Sequence, residues 1–246
     1  MRARTANESV LSHGMEDTRE ALGAWRDDNW RVLRGWFALS LCIALTLLAA
    51  VWVVSGLLTP DVTPWNMPGL TESPRFTDLL PILYRNALVL ALHATACVAG
   101  FIAGSSMPLA AEQRTGFSRW IHVKAGELAI LFVAAVTLFS LCTQALYLGF
   151  QGSTLAYQLH ISRFELILSV LPHALIELTA LFLPLAAWLI ASRRGEWKQL
   201  LAATAVTAAI AVPMLICAAA IEVYVWPHIL RALSDYHYTF RSQFSK

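Results

Sequence analysis

The sequence predicts an all-α integral membrane protein with five transmembrane helices, and three observations predict it. Of the 246 residues, 57% are hydrophobic and only 14% are charged, whereas a soluble domain carries about 25% charged residues. Five stretches are apolar over the roughly 20 residues that a helix needs to cross a bilayer. The basic residues are divided unevenly between the segments that connect these stretches.

The first three predicted spans carry few ionisable groups. Span one covers residues 36–58, span two covers 86–105 with His93 inside it, and span three covers 128–150. The first span follows a long polar segment and exceeds the short apolar region of a secretory signal. We therefore expect it to stay in the mature protein as a permanent span.

Spans four and five, residues 166–191 and 200–225, are chemically richer. Each contains an acidic residue, Glu177 or Glu222, and at least one proline. A charged side chain at bilayer depth is costly, so each such residue is a candidate functional residue. Proline frees a backbone carbonyl that needs a partner in lipid and often faces a cavity.

The basic residues predict the orientation, because cytoplasmic loops retain lysine and arginine. Twelve of them precede span one or lie in the loops after spans two and four, namely Arg2, Arg4, Arg19, Arg26, Arg31, Arg34, Arg114, Arg119, Lys124, Arg193, Arg194 and Lys198. The loops and the tail on the other side receive six, namely Arg75, Arg85, Arg163, Arg231, Arg241 and Lys246. We expect the amino terminus in the cytoplasm and the carboxyl terminus outside.

Both flanks of the membrane domain (36–226) show amphipathic spacing. In the cytoplasmic segment 1–35 and the first turn of span one, apolar residues lie near one helical face: Leu22, Trp25, Val32, Leu33 and Trp36. In the extracytoplasmic tail 227–246 the corresponding residues are Ile229, Leu233, Tyr236 and Phe240. Such helices lie on a membrane surface, although a frayed tail is the alternative.

The first outer loop, from Thr59 to about Phe76, is rich in proline and contains Trp65. Regular structure is not expected there. Tryptophan commonly anchors a chain at the membrane interface, and Trp65 either does this or offers a docking surface to an extracytoplasmic partner.

Composition and motifs narrow the function classes. The net charge is only +2, which does not suggest nucleic acid as a partner. The four cysteines lie singly in apolar stretches and form no metal or redox motif: Cys42, Cys97, Cys142 and Cys217. No zincin motif, nucleophile elbow or phosphate loop occurs. We therefore predict no catalytic residues, no metal and no cofactor.

Polar residues inside the spans are the candidate site. His173 and Glu177 are four residues apart and share a helical face. With spans four and five antiparallel, Glu222 lies at a similar depth, and span two brings Asn86 and His93 into the same outer half. The sequence therefore predicts one intramembrane polar cluster of these five residues.

Three interpretations of that cluster remain open. It is an interhelical hydrogen-bond network that fixes packing, a proton or metal site, or the active site of an intramembrane hydrolase. His173 and Glu177 supply only two metal ligands, so a third would come from another helix. No nucleophile is paired with them, which disfavours the hydrolase.

Two segments resemble the stage II sporulation protein M family. They are Pro172-His173-Ala174-Leu175-Ile176-Glu177-Leu178-Thr179-Ala180 and Ile221-Glu222-Val223-Tyr224-Val225-Trp226-Pro227. Asn86 also stands where the family has an asparagine opening its second span. Ala174 replaces the usual glycine, and the asparagine-glycine turn between spans two and three is missing.

The resemblance implies a multi-pass protein of the bacterial cytoplasmic membrane, whose sporulation relatives anchor peptidoglycan-remodelling enzymes. We accordingly expect a non-enzymatic scaffold that contacts the lipid bilayer and other membrane or envelope proteins, with homo-oligomer formation left open. The alternative is a permease-like transporter subunit in which Glu177 lines a path and a separate ATPase docks on the inner loops.

Overall fold

The computed structural model describes residues 14–25, 29–63, 70, 72–107, 111 and 114–234. Its α-helices are α1 (14–25), α2 (Asn29–Leu57), α3 (Leu79–Phe101), α4 (Gly116–Leu159), α5 (Arg163–Arg194), α6 (Leu200–Ala220) and α7 (Trp226–Leu233). The described residues contain no β-strand.

Five helical stretches in this part of the chain are long and apolar enough to cross a membrane. They are Trp30–Leu57, Phe76–Gly104, Gly116–Leu159, Arg163–Arg194 and Trp197–Leu233. The predicted fold class, an all-α chain with five helices of spanning length, is confirmed. Their sequence order matches that of the five predicted spans.

The helices α4 and α5 extend at both ends beyond the apolar stretches that predicted them, most of all α4. Its 44 residues reach about 66 Å at about 1.5 Å per residue, against a hydrocarbon core of about 30 Å. The last two turns of α4 bury Leu155 and Leu159 against Leu166, Trp226 and neighbouring apolar residues. Packing with the rest of the chain therefore continues the helix where hydropathy alone ends the span.

Tight turns end α4 and α5 in the same way. Beyond α4, His160 has φ +53°, the N–H of Ile161 donates to the Ala156 carbonyl and that of His160 to the Tyr157 carbonyl. After α5, Gly195 has φ +70° and the same pair of bonds forms. Both ends follow the Schellman pattern, which usually has glycine at the left-handed position.

α5 begins with reciprocal capping. The Ser162 hydroxyl accepts a hydrogen bond from the Glu165 N–H at 3.1 Å, and the Glu165 carboxylate accepts one from the Ser162 N–H at 2.7 Å. This capping box satisfies two donors that a helix start otherwise leaves unpaired. It fixes the start of the helix that carries His173 and Glu177.

A wide π-helical turn, Ile221–Val225, separates α6 from α7, and the Trp226 N–H donates to the Ile221 carbonyl five residues earlier. Pro227 follows immediately and has no N–H for the ordinary bond to the carbonyl four residues before it. The proline thus accounts for the widened turn, which carries Glu222.

The described residues fall into two compact units. The first comprises the described residues of Met1–Ser40, Val89–Thr137 and Leu181–Ala211, and the second those of Leu41–Leu88, Leu138–Ala180 and Val212–Lys246. Several helices pass from one unit into the other, so each unit is a group of helix segments rather than a separate stretch of sequence.

In the first unit, an ion pair joins α1 to the turn between α5 and α6. Lys198 Nζ lies 3.3 Å from Asp17 Oδ1, and Trp25 meets Trp36 edge to face at a centroid distance of 5.2 Å. The segment before α2 and the turn after α5 therefore lie on the same side of this unit. The predicted topology also places them on one side of the membrane.

The second unit contains a close crossing of α2 and α4. A Cβ added to Gly149 would lie 2.6 Å from Val54 Cγ1 and 3.2 Å from the Ser55 nitrogen. Only glycine permits this approach, because it has no side chain. At Gly152, one turn later, an added Cβ would meet neighbours at ordinary distances of 3.7 Å and more.

The structure describes only part of the two predicted amphipathic flanks. α7 is amphipathic and buries Trp226, Pro227 and Leu230, whereas Leu233 is exposed. Trp65 of the first loop and the tail residues Tyr236 and Phe240 lie outside the described residues.

Candidate functional site: a polar cleft in the second unit

A cleft of about 260 Å³ opens among the helix segments of the second unit. Most of its wall is apolar, with leucine, isoleucine and valine side chains from α2, α4 and α5. Its polar lining comes from Arg85, Gln151, His173, Glu177 and Glu222. This combination of an apolar wall with a few polar groups is typical of small-molecule sites.

The charged groups of the cleft come from three helical segments. α5 supplies Glu177 near its middle, the π-helical turn supplies Glu222, and α3 supplies Arg85. The two carboxyl groups are close enough to interact electrostatically, and the Arg85 guanidinium acts on both. Since no described ion pair within 4 Å joins Arg85 to either carboxylate, its attraction to them is longer-range.

Two buried nitrogen atoms beside the carboxylates have no hydrogen-bond partner among the described residues. They are His173 Nδ1 and Asn86 Nδ2, on side chains exposed by only 6% and 4%. The Asn86 amide lies next to the Glu177 carboxyl but does not reach hydrogen-bond geometry. An unpaired buried polar group costs about 1–3 kcal/mol, so these two are uncommon in a folded chain.

Trp226 fixes the position of His173. The two rings lie 5.1 Å apart, and the Trp226 indole N–H donates to Ser169 Oγ at 3.0 Å. The Ser169 hydroxyl in turn donates to the Leu166 carbonyl at 2.7 Å. This chain of contacts ties α7 to α5 and holds the imidazole at the wall of the cleft.

The predicted five-residue cluster is distributed between the two units. Within the second unit, His173, Glu177 and Glu222 line one cleft and Asn86 lies beside it. No hydrogen bond or ion pair between His173 and Glu177 occurs among the described residues, although their spacing lets them touch.

His93 belongs to the first unit. Its Nδ1 lies 2.8 Å from the Leu181 carbonyl and its ring lies 5.5 Å from that of Phe182. A carbonyl can only accept, so Nδ1 carries a proton and donates it. His93 thus caps a backbone carbonyl of α5 within its own unit.

Metal ligation has no geometric support in the part of the chain that the structure describes. There, no three side chains from His, Cys, Asp and Glu are grouped closely enough to hold an ion. The side chains that line the cleft can form hydrogen bonds and ion pairs, exchange protons and bury apolar surface.

Sequence reasoning missed Arg85 as a site residue and counted it as a loop cation. α3 begins at Leu79, seven residues before the predicted start of span two at Asn86, so Arg85 lies two turns inside the helix. The signal that could have found it is its position next to Asn86 in a segment that is apolar on both sides.

The chain matches no family model, no curated protein and no solved structure. Membership of the stage II sporulation protein M family therefore stays a prediction that rests on the resembling segments of α5 and of the π-helical turn.

Proposed function

We propose that this chain is a non-enzymatic scaffold of the bacterial cytoplasmic membrane, of the stage II sporulation protein M type, that binds envelope proteins through its membrane helices. The observation that carries the proposal is a polar strip on α4, formed by Ser140, Thr143 and Gln144 and called the α4 strip below.

The α4 strip lies near the middle of an apolar helix that the rest of the chain leaves largely uncovered. Only 11% of the most apolar window of α4 is buried, compared with 67% for α5. Large apolar side chains surround the strip, among them the exposed Leu138, Phe139 and Leu146. This part of α4 therefore faces lipid or another protein.

Polar side chains favour a protein partner at this position. Thr143 is exposed and donates to carbonyl groups of its own helix, while the Gln144 amide donates to Ser140 Oγ at 3.0 Å. A glutamine side chain has further donor and acceptor capacity that hydrocarbon cannot satisfy. Small and polar side chains on membrane helices promote helix–helix association.

The resemblance in the Pro172–Ala180 and Ile221–Pro227 segments supports the kind of partner proposed. In that family, the sporulation members hold peptidoglycan-remodelling enzymes at the membrane. The same resemblance supports the bacterial cytoplasmic membrane as the location.

Photo-crosslinking in native membranes tests the scaffold. A benzoylphenylalanine at position 143 should form a covalent adduct with another polypeptide, and Gln144→Leu should reduce the adduct yield. The matched control is the same probe at Leu45, an exposed apolar position of α2, which should give lipid adducts. Only lipid adducts at both positions would refute the scaffold.

The polar cleft favours a second candidate, a permease-like transporter subunit. Helices of membrane-spanning length carry three charged residues of the cleft, Arg85, Glu177 and Glu222. Charged residues within such helices often mark a translocation path. Co-purification of the chain with an ATPase would support this candidate. Transport that persists unchanged in Glu177→Gln would argue against coupling through that carboxyl.

A further inference from the structure

We infer that the cleft of the second unit is a binding site for a primary ammonium group carried on an apolar body, with Glu177 and Glu222 as its counter-ions. The inference does not rest on the scaffold proposal, because no residue of the α4 strip lines the cleft.

The charges of the cleft favour a cation. Two carboxylates, Glu177 and Glu222, face one guanidinium, that of Arg85. With all three groups ionised, the cleft carries one net negative charge. A ligand with one positive charge therefore completes the balance, and carboxylates at this depth are stabilised by a cation close to them.

The size and walls of the cleft favour an organic cation over a bare ion. A volume of about 260 Å³ exceeds the roughly 30 Å³ of a water molecule several times. The wall includes Leu48, Val51 and Val170, against which methylene groups can pack. Trp226 also lines the cleft and offers an aromatic ring, a group that attracts cations.

The unpaired nitrogen atom of His173 is a second, independent pointer to a ligand. His173, whose ring lines the cleft, and Asn86, next to Glu177, are both more than nine-tenths buried, yet neither His173 Nδ1 nor Asn86 Nδ2 is paired with a described residue. Buried polar side chains without a partner are uncommon and call for a specific explanation. Asn86 lies beside Glu177 and does not line the cleft, whereas the ammonium group of a ligand in the cleft can donate a hydrogen bond to His173 Nδ1.

Two kinds of ligand carry a primary ammonium group on an apolar body. One is a soluble alkylamine, and the other is the ethanolamine headgroup of a phospholipid. In a lipid the phosphate next to the ammonium would face Arg85, whereas a simple alkylamine leaves Arg85 with only its longer-range attraction to the carboxylates. The two sources share the ammonium and the apolar body, so one experiment with two arms separates them.

The experiment uses full-length protein in phosphatidylglycerol nanodiscs, with hexylamine as the probe in calorimetric titrations. Hexylamine should bind, and hexanol, which has the same apolar body without the charge, should not. Glu177→Gln and Glu222→Gln should each weaken hexylamine binding by about tenfold or more, since each removes a buried counter-ion. The control Glu127→Gln, at an exposed carboxylate paired with Lys124, should bind as wild type does.

A cleft-filling variant distinguishes loss of binding from loss of folding. Val170→Phe keeps every charge but reduces the space, so it should lose hexylamine binding while its elution and thermal unfolding stay close to wild type. Equal binding of hexanol and hexylamine would overturn the inference. Wild-type affinity in both glutamine variants would overturn it as well.

The second arm identifies the source. Nanodiscs that contain phosphatidylethanolamine should raise the apparent Kd for hexylamine if the headgroup is the natural occupant, and Arg85→Gln should abolish this competition. If phosphatidylethanolamine does not compete while hexylamine still binds, the ligand is a soluble amine.

Discussion

At the residue scale, the two similar helix ends give a matched pair of predictions. Replacing His160 with glycine removes the strain of a left-handed side-chain-bearing residue and should stabilise the fold by about 0.5–1 kcal/mol. Gly195→Ala introduces that strain at the equivalent position of α5 and should destabilise by about 1 kcal/mol. Unfolding in mixed micelles at increasing concentrations of a denaturing detergent measures both changes in stability. A destabilised His160→Gly variant would contradict the left-handed conformation at His160.

The hydrogen bond from Trp226 to Ser169 makes a second residue-scale prediction. Ser169→Ala leaves the indole N–H buried without a partner and should cost about 1–3 kcal/mol. Adding Trp226→Phe to Ser169→Ala removes the orphaned donor, so the second substitution should cost less in the Ser169→Ala background than in wild type. The same unfolding measurement gives both values, and strict additivity would mean that the bond contributes nothing.

Asp61, in the loop after α2, provides a prediction about pH. The Thr63 backbone N–H, 2.9 Å from Asp61 Oδ1, and secondly the Thr63 side chain hold the pKa of this carboxyl below its usual value of 3.8. A lowered folded pKa means that the stabilisation is present above 3.8 and is lost as the pH falls through the folded pKa.

Carboxyl NMR of labelled Asp61 should therefore give a titration midpoint below 3.8, and Thr63→Val should move the midpoint upward by removing one of the donors. A midpoint at or above 3.8 in the wild-type protein would show that the turn does not form.

At the element scale, the crossing of α2 and α4 depends on one glycine. Gly149→Ala places a methyl group against Val54 and should destabilise the chain by about 1–3 kcal/mol. Gly152→Ala, where the added methyl makes ordinary contacts, should stay within about 0.5 kcal/mol.

A double-mutant cycle locates the effect at the crossing. Val54→Ala makes room for the new methyl, so Gly149→Ala should cost less in that background. If Gly149→Ala and Gly152→Ala are equally harmless, the two helices do not cross as closely as described.

The helices show which parts of the fold can be predicted from the sequence. Hydropathy located all five spans, because the apolar content of a span depends on bilayer thickness and not on tertiary contacts. Spans two and three are predicted to start at residues 86 and 128, whereas α3 begins at Leu79, which packs against Ala219 and Val223, and α4 begins at Gly116. Arg85 was consequently assigned to a loop, although it lies within α3.

The candidate site, too, is only partly predictable from the sequence. The four-residue spacing of His173 and Glu177 follows from helix geometry, and so does their position on α5. The π-helical turn that carries Glu222 and the burial of Trp226 depend on Pro227 together with contacts to α4 and α5, and periodicity does not contain that information. The assignment of His93 to the first unit is likewise a tertiary result.

At the scale of the whole molecule, five helical stretches of the described chain are long and apolar enough to cross a membrane. An odd number of crossings puts the two termini on opposite sides. The distribution of arginine and lysine predicts which side each terminus takes, with the amino terminus inside.

Reporter fusions at the carboxyl terminus test this claim most directly. Alkaline phosphatase, which is active only outside the cytoplasm, should be active there, and green fluorescent protein at the same place should be dark, while an amino-terminal tag stays protected from external protease. A fluorescent carboxyl-terminal fusion with a protected amino-terminal tag would place both termini inside and contradict five crossings.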